Sequence, residues 1–244
     1  SEMCIRDRVY GVYSTFVQRT YDQLQQDLCI NNNPITILTF AASVWGMNDV
    51  THLGIYDIPM MSNIPNLVYL APTTYEEYIA MLDWSTEQRE HPVAIRVPGA
   101  VIHGEKPTKD YGILNKYETV QKGSGAAIIA LGTFFGMGKQ AAELIEKKTG
   151  VKPTLINPVY ITGIDEELLE SLKKDHKAVV TLEDGILDGG FGEKIARFYG
   201  DSDMRTVNFG LKKEFLDRYD ANEVLRQNCI TPEEIADRAA ELVK

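Results

Sequence analysis

The stretch Gly11-Val12-Tyr13-Ser14-Thr15-Phe16-Val17-Gln18-Arg19-Thr20-Tyr21-Asp22-Gln23 gathers side chains suited to a flat, phosphorylated ligand. Its valines and first tyrosine suit a buried strand, and Ser14-Thr15 can cap a following helix. Such a junction collects unpaired backbone N–H groups. Phe16 adds a π-face for a heterocycle, and Arg19 adds a guanidinium that matches phosphate bidentately. A second cluster is Gly46-Met47-Asn48-Asp49-Val50-Thr51-His52-Leu53-Gly54, where His52 alone among the four histidines sits in a glycine-bounded loop. His91, His103 and His176 read as surface residues. In His91-Pro92-Val93-Ala94-Ile95-Arg96-Val97-Pro98-Gly99, Arg96 falls at a strand end. There it faces either a phosphate in the crevice beyond the sheet or a structural ion pair.

The first of these runs closely resembles the Y-S-T-F-x-Q-R-x-Y-D-Q segment of 1-deoxy-D-xylulose-5-phosphate synthases, thiamine-diphosphate enzymes of the transketolase superfamily. The second resembles their G-x-D-G-x-T-H-x-G loop and the third their P-x-A-x-R-x-P-R-G segment. The resemblance runs from about Val9 to Lys244 and implies a pyrimidine-binding domain followed by a C-terminal domain. It implies that Phe16 stacks on the cofactor's aminopyrimidine and that Tyr13, Arg19 and Arg96 reach the acceptor's phosphate. It gives His52 the polarisation of the acceptor or a proton transfer. The pattern is broken in places. The family's D-G pair is Asn48-Asp49, its upstream D-R-A-G is Phe40-Ala41-Ala42-Ser43, and the second arginine of the third segment is missing. These changes leave the acceptor open.

By resemblance, the complete enzyme decarboxylates pyruvate and adds the two-carbon unit to glyceraldehyde 3-phosphate, for isoprenoid and thiamine synthesis. It does so as a homodimer with thiamine diphosphate and magnesium. The family's metal-holding G-D-G with its downstream asparagines does not occur in this sequence, nor does the A-E-[QE]-H-A segment with its activating glutamate. The expected partner is therefore an N-terminal diphosphate-binding domain that carries the metal ligands, and the chain alone is expected to be inactive. A transketolase-type sugar-phosphate transferase and a non-catalytic subunit of a split thiamine enzyme are the two rival readings.

The composition agrees with a globular protein: 44% of the 244 residues are hydrophobic and 25% charged. A net charge of −10 argues against nucleic-acid binding, which needs a basic face. No apolar run approaches the roughly 20 residues of a membrane span. Cys4, Cys29 and Cys229 are too few and scattered for a disulfide framework or a zinc site, which fits a reduced, cytoplasmic setting. Residues 1–8 lack periodicity, a signal-peptide core and an initial methionine. They read as a scar or truncation remnant, so the chain is expected to start inside a longer protein.

Short apolar runs alternating with amphipathic stretches predict two consecutive three-layer α/β domains with mainly parallel sheets, residues 9–115 and 116–244. Expected strands in the first are Val9–Tyr13, Ile35–Phe40, Leu67–Ala71 and Val93–Val97, with helices over 15–31 and 75–88. The Gly-, Pro- and Lys-rich segment 98–125 reads as a connection with one short strand near Tyr117–Val120. The second domain should hold strands at 126–131, 153–157, 177–183 and 205–209, and helices at 139–149, 165–175, 192–199 and from Thr231 to the end. Gly132-Thr133-Phe134-Phe135-Gly136-Met137-Gly138 is not a dinucleotide loop, because its glycine spacing is wrong and the next strand ends in Asn157. The turn from Glu183 to Gly190 matches a structural turn of the family's last domain.

Overall fold

The computed structural model describes residues 9–97 and 101–243. The expectations for residues 1–8, and for Pro98 and Gly99, lie outside the described residues. Strands β1 (Val9–Tyr13), β2 (Thr36–Phe40), β3 (Val68–Leu70) and β4 (Val93–Val97) form one sheet in the order β1-β2-β4-β3, all parallel. Strands β5 (Glu118–Gln121), β6 (Gly125–Ala130), β7 (Thr154–Asn157), β8 (His176–Ile186) and β9 (Arg205–Leu211) form a second sheet, ordered β5-β7-β6-β8-β9. Only the edge strand β5 runs antiparallel there. The molecule is thus two α/β domains, one with a parallel four-stranded sheet and one with a mixed five-stranded sheet.

Helical segment α1 covers residues 14–29 and changes pitch twice, through a 3-10 turn (Ser14–Thr20), an α turn (Tyr21–Gln23) and a π turn (Leu24–Cys29). In the first domain α2 (Asp57–Met61) and α3 (Tyr75–Glu87) follow. The second holds α4 (Phe135–Thr149), α5 (Glu166–Leu172), α6 (Phe191–Tyr199), α7 (Ala221–Gln227) and α8 (Pro232–Val243). Several starts are set by capping side chains. Thr74 accepts from the Glu77 N–H, Asp165 from Leu168 and Asp220 from Glu223. Gly150, at φ 72°, closes α4 in the left-handed conformation that glycine adopts without steric cost. Among the described residues, no helix is long and apolar enough to cross a membrane.

The structure corrects four local expectations. β1 is not buried: with a single neighbour in the sheet, it leaves Val9, Tyr10 and Tyr13 exposed. Ser14 does not cap α1; its side chain turns inward and its hydroxyl makes no hydrogen bond. His176 is buried rather than superficial, because it opens β8 beneath the end of α5. Its ring nitrogens lie 2.8 Å from Thr154 Oγ1 and 3.1 Å from the Leu172 carbonyl. Helices α2 and α7 were not foreseen.

The two sheets share a core in which Ile37, Tyr69 and Ala94 pack in one cluster with Ile129, Ile156 and Val179. Backbone hydrogen bonds cross the seam from Ala71 to Val159 (2.8 Å), Ile161 to Tyr69 (2.8 Å) and Ile186 to Ile55 (3.0 Å). At its centre lies Arg96, only 3% exposed. Its Nε and Nη2 donate to the two oxygens of Asp57 at 2.7 and 3.1 Å, and Nη2 also reaches the Gly54 carbonyl at 3.3 Å. Its Nη1 donates to Asp184 on β8, whose other oxygen accepts from Thr133. The Tyr69 hydroxyl donates to Asp57 as well. Desolvation pulls the guanidinium pKa down, and the Asp184 and Asp57 carboxylates more than reverse that pull. Removing one partner of a buried ion pair leaves the others charged without compensation. Arg96→Met should therefore lower the unfolding free energy by about 3–5 kcal/mol in urea titrations, and a loss below about 1 kcal/mol would show that the cluster does not hold the seam.

Next to this cluster Glu183 caps α6, accepting from the N–H groups of Phe191 (2.7 Å) and Gly192 (2.8 Å). Burial pushes its carboxyl from 4.5 up to about 8, against the pull of those two contacts. A carboxyl that binds its proton more tightly when folded favours the folded state. That contribution is complete below the unfolded value of 4.5 and is lost as pH rises through about 8. Stability should fall across this window, and Glu183→Gln should flatten the fall. Equal slopes for the two proteins in unfolding titrations would show that Glu183 is not the titrating group.

Candidate functional site

The parallel register brings Tyr13, Phe40 and Val97 abreast at the carboxyl edge of the first sheet. Ligands of open parallel sheets bind beyond this edge. From Tyr13 the chain turns into α1, placing Phe16 with its ring 6.3 Å from that of Tyr13 and nearly perpendicular to it. Arg19, one helical turn on, is exposed and holds its guanidinium 5.7 Å from the Phe16 ring centre. The Phe16 ring also meets that of His52, at 5.2 Å and 75°.

His52 reaches this position through the loop after β2. Ala41 (φ 52°) and Ser43 (φ 128°) take a conformation that residues other than glycine rarely adopt, and the chain doubles back until Ser43 bridges Gly54. The Ala41 carbonyl lies where a side chain at Gly46 or Gly54 would have to go, 2.1 and 2.0 Å from the respective Cβ positions. Both glycines are therefore required by close backbone approach. The loop tip is held by the second domain. The Arg218 N–H donates to the Asn48 carbonyl (2.6 Å), the Asn48 amide to the Tyr219 carbonyl (3.3 Å), and the Val50 N–H to Asp217 (3.2 Å). Tyr219 sends its hydroxyl to the carbonyls of Val44 and Met47, at 2.9 and 3.2 Å.

Within the loop Asp49 accepts from the Thr51 N–H at 2.8 Å and from the Thr51 hydroxyl at 2.5 Å. His52 Nδ1 lies 2.8 Å from that hydroxyl and 3.5 Å from Asp49 Oδ1. The Thr51 hydroxyl bond, its N–H bond and the His52 contact, in that order, hold the Asp49 carboxyl below its ordinary range. Thr15 at the start of α1 donates to the Thr51 carbonyl at 3.4 Å, tying the strand–helix junction to the histidine loop.

Tyr13, Phe16, Arg19, Asp49 and His52 thus converge on one edge of the first domain. Asn48 does not join them, since its polar groups dock the loop on the second domain. Arg96 also stands apart: its strand carries it inward, and its donors go to Asp57, Asp184 and Gly54. The ion pair, the alternative to a phosphate contact, is what the structure contains. Sequence reasoning passed over Thr51, which bridges Asp49 and His52, and the 217–220 segment that holds the loop. No local pattern marks that segment, because its contacts span more than 160 residues of chain.

Beside the cluster a cavity of about 230 Å3 opens between Phe40, Val97, Tyr75, Tyr78, Ile102 and Thr133. Among the described residues its walls hold no lysine, arginine or histidine, and the Thr133 hydroxyl already donates to Asp184. Where the family's D-R-A-G supplies a charge, Phe40 presents an aromatic wall.

Residues 6–101 match the model of the transketolase pyrimidine binding domain, and residues 115–235 that of the transketolase C-terminal domain. A 1-deoxy-D-xylulose-5-phosphate synthase of Clostridium perfringens is 35% identical over 240 residues, covering 96% of this chain and 38% of that protein. One from Clostridium tetani is 33% identical over 238 residues with the same coverage. The chain therefore spans well under half the length of these relatives. Among solved structures, a split gene transketolase described as an inactive β4 tetramer superposes with a TM-score of 0.82, at 20% identity, over 97% of this chain and 76% of the other. A Pichia stipitis transketolase mutant in complex with xylulose 5-phosphate gives 0.77 at 19% identity, over 97% of this chain and 34% of the other. The matched domains, the sequence relatives and the shared fold agree: the chain belongs to the transketolase family and carries its pyrimidine-binding and C-terminal domains.

Proposed function

We propose that this chain supplies the pyrimidine side and the acceptor side of a thiamine-diphosphate-dependent 1-deoxy-D-xylulose-5-phosphate synthase, which joins pyruvate to glyceraldehyde 3-phosphate with loss of carbon dioxide. The observation that carries this reading is the convergence of Phe16, His52 and Arg19 at the carboxyl edge of the first sheet. Phe16 is half-buried, and its ring is held by near-perpendicular contacts with the rings of Tyr13 and His52; its π-system suits a stacked aminopyrimidine. Thiamine diphosphate, when bound, supplies the electron sink for decarboxylation. Among the described residues no group of three His, Cys, Asp or Glu side chains could hold a metal ion.

In this reading Phe16 orients the cofactor's ring and His52 polarises the acceptor carbonyl or moves its proton. Tyr13 and Arg19 hold the acceptor's phosphate. With Arg96 engaged at the seam, Arg19 is left as the guanidinium of the cluster that faces solvent. The missing half comes from a diphosphate-binding partner, in the same polypeptide or another, and the complete assembly is a dimer. The split gene described for a structural neighbour supports a two-chain arrangement. A transketolase-type acceptor is favoured by one observation: Asn48 turns toward the second domain, so the carboxylate of the synthase loop is not at its usual place.

The chain alone should bind thiamine diphosphate weakly and release no carbon dioxide from pyruvate, since Phe16 offers stacking worth only about 1 kcal/mol beyond buried area. Micromolar binding by calorimetry, or turnover by the chain alone, would contradict this reading. In the assembled enzyme His52→Asn should lower kcat by roughly 10²–10⁴ with an unchanged melting temperature, and wild-type turnover would remove His52 from the site. Arg19→Ala should raise KM for glyceraldehyde 3-phosphate about tenfold, from the loss of a charge-assisted hydrogen bond. KM for unphosphorylated glyceraldehyde should change far less, and equal losses would show that Arg19 does not hold phosphate.

A further inference from the structure

The geometry points to Asp49 as a positioning residue that, through the Thr51 hydroxyl, fixes the proton of His52 on Nδ1 and presents Nε2 as a bare acceptor. The inference rests on the reading of His52 as the acid–base group. It follows from counting protons. An ionised carboxylate only accepts, so at 2.5 Å the Thr51 hydroxyl must donate to Asp49 Oδ1. A hydroxyl has a single proton. Once that proton is given to Asp49, Thr51 Oγ1 can only accept from its other neighbour, His52 Nδ1 at 2.8 Å. The direct approach of the same nitrogen to Asp49 Oδ1, at 3.5 Å, is too long to fix a proton, so the Thr51 oxygen sets its place. That contact demands an N–H at Nδ1, and in a neutral imidazole that leaves Nε2 without one.

The free histidine side chain in water prefers the opposite tautomer, with the proton on Nε2. The loop reverses that preference, and its surroundings keep the device in place. The edge contact with Phe16 limits rotation of the imidazole. Thr15 holds the Thr51 carbonyl, and Asp217 holds the N–H of Val50. Of the two tasks open to His52, a bare Nε2 performs the proton transfer: it takes a proton from a substrate hydroxyl, and only the imidazolium so formed has an Nε2–H to give to a carbonyl oxygen or alkoxide. The imidazolium that results keeps its Nδ1–H on the Thr51 oxygen, with the Asp49 carboxylate behind it. The shift from D-G to Asn48-Asp49 thereby divides two tasks. Asn48 anchors the loop, and Asp49 sets the state of His52.

The test uses the intact chain, without cofactor or turnover. Long-range proton–nitrogen correlation spectra, recorded where the imidazoles are neutral, distinguish a protonated ring nitrogen from a bare one. The His52 signals are identified by their loss in His52→Asn. In the wild type the protonated-type signal should belong to Nδ1. It should stay there in Thr51→Ser, which keeps the hydroxyl, and move to Nε2 in Thr51→Val and in Asp49→Ala. A wild type that carries its proton on Nε2 would overturn the proposal. So would an Nδ1 proton that stays in place in either Thr51→Val or Asp49→Ala. These spectra do not depend on catalysis, so the relay can fail while His52 proves essential to turnover. Equally, His52 can prove dispensable while the tautomer stands.

Discussion

The guanidinium of Arg96 is the contact on which the arrangement of the two domains depends. It leaves β4 of the first sheet, binds Asp57 at the start of α2, and meets Asp184 on β8 of the second sheet. A cation at this depth requires both carboxylates, and each carboxylate at this depth requires the cation. Tyr69 and Thr133 take up further lone pairs, so the cluster is a network rather than a single pair. A hydrophobic seam alone would let the two sheets slide over each other. A charged network with fixed donor directions admits few relative positions.

The same economy of position appears at the carboxyl edge of the first sheet. A loop that leaves β2 at Phe40 must return to Gly54 within a short span and still present an imidazole to a phenylalanine on another element. Two glycines packed on one carbonyl make the return possible, and two residues with positive φ make the bend. Backbone strain of this kind persists only where the surroundings over-determine it. The 217–220 segment supplies those surroundings, by hydrogen bonds to the loop's backbone and to Asn48.

The strand–helix rhythm carried most of the architecture, because parallel sheets need short apolar strands with amphipathic crossovers and both periods are visible in the residues. Val93–Val97 and Val9–Tyr13 are examples: their branched and aromatic runs are bounded by breaks. What the period does not encode is exposure. Val9, Tyr10 and Tyr13 look like core residues and lie open because β1 ends its sheet. His176 looks solvated among charged neighbours and is buried because α5 closes over it. Within the site, Tyr13, Phe16 and Arg19 were legible together since one short segment carries them. The fate of Arg96 was not, because a strand-end arginine faces a crevice or a seam according to what the other domain brings to it. Thr51 escaped notice for a different reason: its contribution is one hydroxyl proton, visible only when three atoms are placed.

The loop from Ser43 to Gly54 belongs to the first domain, which clamps its neck, while its tip is held by the second. That makes it a lever. Any small rotation of the second domain against the first would pull the tip at Asn48 and Val50 while the neck stays clamped at Ala41. The motion would arrive at His52, which sits between the two holds and rests on a phenylalanine that belongs to the first domain only. A displacement of about 1 Å at a reacting group is enough to cost orders of magnitude in rate. In the proposed function, the stiffness of the buried arginine network therefore governs how accurately the His52 imidazole is aimed.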